Sequence, residues 1–270
     1  MLIVAATPIG NLGDHTPRLL EVLRDAAMVV SEDTRTTKKL LGALESQSHA
    51  EFVPLHEHNE REVLDRVLDK AATSNVVLVS DAGMPGISDP GFALVRAAHE
   101  RGIRVSPLPG PSAVTAALAA SGLPTDRFCF EGFLPKKGKR EALEALGAES
   151  RTMVFFESPH RLHEMLLDAA SVFGENREAC VAREIAKKFE EIQRGTLAEL
   201  AGHFLGSVKG EIVVVIGGSP AGSTDLPQAI VRVSELMDSG MGRSEACQVV
   251  AKETGIPKST LYKESVGDSA

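Results

Sequence analysis

The sequence predicts an α/β protein: a mainly parallel sheet covered by helices on both faces, a second α/β series after a connector, and a small helical C-terminal tail. Three observations carry this. Short β-branched runs alternate with amphipathic stretches through the first half of the 270 residues, the pattern of strands joined by crossover helices. A turn-rich stretch, SGLPTDR at 121–127, separates this series from a second one. After a Gly- and Ser-containing linker at 217–224, the remaining residues read as two or three short helices ending in GIPKSTLYK.

In the first series, the short β-branched runs at residues 2–6, 28–31, 76–80 and 103–107 read as strands. Residues 17–24, 34–44, 60–72, 92–101 and 112–121 carry helical spacing of apolar positions. In the second series, strands are expected at 128–132, 152–157, 179–183 and 211–217, with helices at 139–146 and 159–173. The domain boundaries follow: an N-terminal α/β domain over 1–122, a C-terminal α/β domain over 123–219, and linker plus helical tail over 220–270.

Composition narrows the class. Hydrophobic residues make up 43% and charged residues 24%, an ordinary balance for a soluble globular chain. No apolar run approaches the roughly 18 residues of a membrane span, and MLIVAATPIG lacks the basic flank and cleavage site of a signal peptide. Cys129, Cys180 and Cys247 lie far apart without a CxxC pair, which argues against a disulfide scaffold or zinc site and suits a reducing cytoplasm. The net charge of −8 means that any nucleic-acid contact must come from local basic clusters, because phosphate binding needs Lys and Arg.

Three Gly/Pro/Asp/Ser loops follow predicted strands: TPIGNLGD, DAGMPGISDPG and PLPGPSA. In open parallel sheets ligands bind outside the carboxyl ends of the strands, and glycine allows the backbone close to a ligand. Each loop alone reads as a turn; three on one sheet edge read as a binding site. There is no GxGxxG, no GxxxxGK[ST] and no GxSxG, which disfavours a Rossmann dinucleotide site, a P-loop NTPase and an α/β-hydrolase. His56-Glu57-His58 lacks a third ligand at metal spacing, so a polar substrate-facing loop is favoured over a metal site.

In order along the chain stand ATPIGNLGD (6–14), SEDTRTTKKLL (31–41), HEHNE (56–60), VSDAGMPGISDPG (79–91), PLPGPSA (107–113), SGLPTDRFCFEGFLPKK (121–137), FFESPHRL (155–162), AREIAKKFEE (182–191) and GEIVVVIGG (210–218). This series resembles the RsmI family of small-subunit ribosomal RNA (cytidine-2′-O)-methyltransferases within the tetrapyrrole-methylase superfamily. The resemblance runs from residue 1 to about 218. Met84 and Ala186 stand where the family more often has Thr.

The resemblance implies a two-domain tetrapyrrole-methylase fold with S-adenosylmethionine in the cleft between the domains, and a homodimer. It further implies cofactor contacts at Pro8, Ile9, Asp81, Met84, Ile87, Ser112, Ala113, Phe156 and Ile212. Such a fold does not use the Rossmann glycine loop, in keeping with its absence here. Methyl transfer from a sulfonium needs alignment and a base but no metal. Candidate catalytic residues are Glu32, Asp33, Arg35, His56, Glu57 and Lys188, with N-capping the competing role for Ser31 or Asp33. For RNA, the basic residues Arg35, Lys38, Lys39, Lys136, Lys137, Lys139 and Arg140 are the expected phosphate contacts, KKGKR being the densest run. Arg161, Lys187 and Lys188 are further basic positions. With one Tyr and no Trp, base stacking would rest on Phe or His.

The tail segment GRSEACQVVAKETGIPKSTLYK resembles a small helix-turn-helix, with Gly255 at the turn and Ser259 and Thr260 opening the last helix. Its mixed charge is compatible with docking on the enzyme body as much as with RNA. The alternatives are a small-molecule, tetrapyrrole-type methyltransferase of the same fold, which SEDTRTTKK and HEHNE make less apt, and a non-catalytic ribosome-binding protein. The partner expected is small-subunit ribosomal RNA or the assembled subunit, not a membrane.

Overall fold

The computed structural model describes residues 1–56, 59–206, 208–219, 226–254 and 256–265. A first sheet is built from β1 (Leu2–Ala5), β2 (Met28–Ser31), β3 (Glu51–Pro54), β4 (Val76–Val79) and β5 (Val105–Leu108), in the order β3-β2-β4-β1-β5 with every pairing parallel. Between them run α1 (Pro17–Asp25), α2 (Thr34–Ala43), α3 (Glu60–Thr73) and α4 (Phe92–Glu100). The period-2 alternation of strand side chains divides the strands between two cores. Leu2, Val4, Met28, Val30, Val76 and Leu78 pack with Leu68 and Leu94. Ile3, Ala5, Val29, Val77 and Val79 pack with Leu19, Leu23 and Leu41. Burial on both faces is why these strands read as unbroken apolar runs.

Local sequence starts these helices cleanly. Thr16 accepts from the Leu19 amide at 3.2 Å with Pro17 at the first helical position, and the Asp33 carboxylate accepts from the Arg35 amide at 2.8 Å. The strand β3 was not anticipated. It lies at the edge, buries only Val53 and ends on Pro54, so it carries neither an apolar run nor a constraint against proline.

A second sheet contains β6 (Phe128–Phe133), β7 (Thr152–Glu157), β8 (Glu178–Arg183), β9 (Glu191–Thr196) and β10 (Ile212–Ile216), in the order β6-β7-β10-β8-β9. It is mixed: β6 and β7 are parallel, whereas β10 runs antiparallel to both β7 and β8, and β9 antiparallel to β8. α6 (Lys139–Glu144), α7 (Leu162–Phe173) and α8 (Leu197–His203) accompany it. Sequence reading missed β9 and α8. Edge strand β9, EIQRGT, alternates with exposed positions, and α8 is short, held by a Thr196–Glu199 capping box. One face of the sheet packs on α7 and α8.

The other face receives α5 (Ala113–Ser121), which sequence order groups with the first half. Its Val114, Ala117 and Leu118 join Val154, Cys180, Ala182, Val213 and Val215 in one core. The helix ends at Gly122, whose φ of 66° gives the left-handed cap. The tail forms α9 (Leu226–Asp238), α10 (Arg243–Thr254) and α11 (Lys258–Glu264), with a core of its own from Ala229, Val233, Ala246, Cys247, Val250, Ile256 and Leu261. Gly255, the expected turn residue, lies outside the described residues, as do 220–225 of the expected linker. No helix among the described residues is long and apolar enough to cross a membrane.

Candidate active site

The loops leaving β1, β4 and β5 are tied together before any ligand is considered. Thr7 and Gly83 exchange backbone hydrogen bonds of 2.9 and 3.1 Å, and the Thr7 hydroxyl donates to the Ser80 carbonyl at 3.2 Å. Gly110 lets the third loop close on the first: a Cβ there would sit 2.9 Å from the Ala6 Cβ. The second half of the chain meets the same edge through residues 184–187. A Cβ on Gly10 would lie 2.4 Å from the Lys187 Cγ, so this contact needs glycine.

Between these surfaces lies a cleft of about 360 Å³, within the usual range for small-molecule sites. The first half contributes Ile9, Gly83, Met84 and the 87–89 turn, together with Ser112 and Ala113 at the start of α5. The second half contributes Phe133, Phe156, Glu157, Ile185 and Ile212 with their neighbours. Phe133 and Phe156 touch with ring centroids 5.5 Å apart, and Phe133 is 57% exposed at this wall. Of the nine expected cofactor contacts, Ile9, Met84, Ile87, Ser112, Ala113, Phe156 and Ile212 line the cleft. Pro8 is buried behind the lining, and Asp81 is exposed beside it. An Asp81 oxygen accepts from the Asp33 amide at 3.3 Å, and partial burial raises its carboxyl above the usual range.

The proposed bases disperse. Asp33 caps α2 and forms a two-pronged pair with Arg35, including a 2.7 Å contact. The Arg35 side chain and amide together hold its carboxyl down at about 2, which makes it a weak base. Glu32 and His56 are exposed, and Lys188 lies over the exposed Phe189 ring at 5.6 Å. Glu57 lies outside the described residues, as does His58. Among the described residues no group of three or more His, Cys, Asp or Glu could hold a metal ion.

Among the lining residues that sequence reasoning missed, Asp89, Glu157 and Phe133 bear most on the chemistry. The only signal for Asp89 was its place in ISDPG, where Asp-Pro-Gly reads as a turn. Asp89 is half-buried; burial first, then the Glu32 charge, push its carboxyl up to about 6, while the Ser80 side chain opposes them. The Glu157 side chain is wholly buried. Its Oε1 accepts from the Ser158 amide at 2.6 Å and lies 3.4 Å from the Arg161 Nε, and its Oε2 has no hydrogen-bond partner. Burial raises the Glu157 carboxyl against both of those contacts.

The basic positions also separate. Lys139, 11% exposed, bridges Glu164 at 3.1 Å and Asp168 at 2.8 Å on α7, and Arg140 pairs with Glu144 while reaching Ser171. These two cations of KKGKR therefore turn toward α6 and α7. Lys136 and Lys137 are exposed and make no ion pair among the described residues. The loop before them is anchored by Arg161, which donates to the Leu134 carbonyl at 2.9 Å. On α2, Lys38 sits over Phe52 at 4.9 Å, Lys39 is exposed, and Arg35 is held by Asp33.

Comparison with known proteins follows the same outline. The model of the tetrapyrrole (corrin/porphyrin) methylases matches residues 1–201. A ribosomal RNA small subunit methyltransferase I of Escherichia coli O157:H7 is 44% identical over 97% of this chain and 93% of its own length. The protein of that name from Pseudomonas aeruginosa is 45% identical over 98% of this chain and 96% of its own. Among solved structures, uroporphyrin-III-C-methyltransferase from Thermus thermophilus superposes with a TM-score of 0.55 at 20% identity, covering 80% of this chain and 93% of that one. A diphthine synthase gives 0.60 at 16%, covering 80% and 90%. The solved structures bear on the fold alone.

Proposed function

This chain belongs to the tetrapyrrole (corrin/porphyrin) methylase family, and from that premise we propose that it is an S-adenosylmethionine-dependent methyltransferase acting on the 2′-hydroxyl of a cytidine ribose in small-subunit ribosomal RNA. Near full-length similarity to proteins named for small-subunit ribosomal RNA methylation supports the substrate. The observation that carries the reading is the cleft itself. Its volume and its apolar lining of Ile9, Met84, Ala113, Phe156 and Ile212 fit a nucleoside, and glycines at 83 and 210 bring backbone to its edge. That lining needs no Rossmann loop.

When bound, the sulfonium cofactor supplies an already activated methyl group. The chain's part is then to orient and to exclude water. Ile9 and Met84 from the first half and Phe156 and Ile212 from the second hold the cofactor's apolar faces. Ser112 and Ala113, where α5 begins, offer polar backbone at the same edge. For RNA, Lys136 and Lys137 on one side and Lys39 with Arg35 and Lys38 on the other serve as phosphate contacts. Exposed Phe133 offers a ring on which an unpaired base can stack. The working form is a homodimer in the cytoplasm.

Two measurements test this. Calorimetry should show S-adenosylmethionine binding that a chelator leaves unchanged. Small subunits from a strain lacking the modification should acquire one methylated cytidine ribose, detected by mass spectrometry of nucleosides. Binding lost on chelation, or methyl groups found on base atoms only, would refute the assignment.

A further inference from the structure

We propose that Asp89 is the general base that takes the proton from the acceptor hydroxyl, an inference that rests on the reading of the chain as a ribose 2′-O-methyltransferase. Among the described residues three carboxylates line the cleft, Asp89, Glu157 and Glu211, and no His, Lys, Arg, Cys or Tyr does. Glu157 is sealed, with its side chain 0% exposed and one oxygen committed to the Ser158 amide and Arg161, so it cannot pass a proton on to water. Glu211 is 74% exposed and ion-paired to Lys187 at 3.1 Å, so its carboxylate is engaged at the surface. Asp89 alone is half-buried in the wall, facing the cleft yet open to proton exchange.

The backbone around it is built to hold it there. Gly86, Ser88 and Gly91 all have positive φ, at 80°, 61° and 129°. For Ser88 that conformation is unfavourable and persists because its surroundings impose it. A Cβ on Gly91 would approach the Leu78 Cδ2 to 2.9 Å, and one on Gly132 would approach the Ser88 Oγ to 3.3 Å. The loop is thus pinned to β4 beneath and fitted against β6 across the cleft.

The charges facing Asp89 are of its own sign. Glu32 stands at the end of β2 and Asp81 at the end of β4, and Glu157 and Glu211 belong to the opposite wall. Asp89 makes no ion pair among the described residues. A carboxyl so placed keeps its proton to a higher pH than usual, about 6, and is a stronger base for it. In the transfer, the O2′–H proton passes to an Asp89 oxygen while the O2′ lone pair forms the bond to the methyl carbon. The carbon–sulfur bond breaks with its electron pair staying on sulfur, and Asp89 then releases the proton to water.

The test is Asp89→Asn, with Asp89→Glu beside it. The Asn variant should lower the single-turnover methylation rate on unmodified small subunits by about 10²–10⁴. Its calorimetric affinity for S-adenosylmethionine should stay within about threefold of wild type. The Glu variant should recover part of the rate. In the cofactor-free protein, carboxyl ¹³C NMR should show Asp89 titrating near 6. The wild-type rate should fall as pH drops through that point, and the residual rate of the Asn variant should not.

An Asn variant with near-wild-type rate overturns the proposal. So does one that loses cofactor affinity along with rate, which makes Asp89 a cofactor ligand. An Asp89 that titrates at an ordinary carboxylate value in the NMR experiment overturns it without reference to activity. A wild-type chain that binds cofactor but methylates no ribosomal RNA removes the functional reading, and this proposal with it.

Discussion

The two sheets bring opposite materials to one cleft. From the parallel sheet come loops: glycines, Ser88, Asp89 and the acids beside them, all at the carboxyl ends of β1, β2, β4 and β5. The mixed sheet offers a wall of strand residues, Phe156, Ile212 and Val213. The difference follows from topology. Parallel strands deliver all their carboxyl ends to one edge, where irregular backbone is free to bind. In an antiparallel arrangement the strands pass the edge in both directions, so strand side chains meet the ligand together with the short loops at 158–159, 185 and 210–211. One sheet therefore lines the cleft with loops alone, and the other with strand residues as well as loops.

The sharpest way to break this comparison is to put a charge into the wall. Ile212→Asp places a carboxylate on a central strand at a position only 3% exposed, and should cost about 3–5 kcal/mol, the range for an uncompensated buried charge. Urea unfolding measures it; a cost below about 1 kcal/mol would mean that the wall is not packed as described. Next comes the RNA surface. Lys136→Gln with Lys137→Gln should reduce the salt dependence of RNA binding by about 0.7–0.9 per lost contact. Lys139→Gln with Arg140→Gln should leave that slope alone and instead weaken the packing of α6 on α7. If the second pair moves the slope and the first does not, the assignment of surface is reversed.

A smaller effect is expected at Asp89, with its sign fixed by linkage. A carboxyl whose folded pKa is raised to about 6 binds its proton more tightly in the native state. Its ionisation therefore destabilises the fold above pH 6, and the penalty disappears as pH falls toward the unfolded value. Asp89→Asn should then raise stability at pH 7.5 by about 1 kcal/mol, after discounting for the exposed half of the side chain, or a few degrees in Tm. At pH 4 the difference should vanish. Smallest is Asp81→Ala, which removes one exposed acceptor of the Asp33 amide and should change stability by less than about 1 kcal/mol. Its cofactor affinity should fall, as expected of an acid beside the cleft, and wild-type affinity would place Asp81 with the α2 cap alone.

What was legible in the sequence follows the same division. The buried strands β1, β2 and β4 read as unbroken apolar runs, and the Gly/Pro loops after them marked the edge where the cleft lies. Both missed strands, β3 and β9, are sheet edges with exposed positions, where burial writes no pattern into the residues. Asp89, Glu157 and Phe133 escaped for another reason. Each acquires its meaning from what the opposite half of the chain places across from it, and spacing within one loop or strand holds no trace of that. Lys139 looked like its neighbours in KKGKR until α7 supplied Glu164 and Asp168.

The placement of α5 bears on how the protein is made. Its three core residues, Val114, Ala117 and Leu118, pack against strands of the second sheet, including β10, the last to be synthesised of the strands among the described residues. During translation this helix emerges with its apolar face uncovered and must wait for β10 before it can dock. Such long-range closure is slow and leaves sticky surface exposed meanwhile. A fragment stopping after residue 122 would carry that exposed face permanently, and one starting at 123 would lack the helix that covers its sheet. The first half should accordingly be produced without α5, ending near Gly110, if it is to remain dispersed in solution.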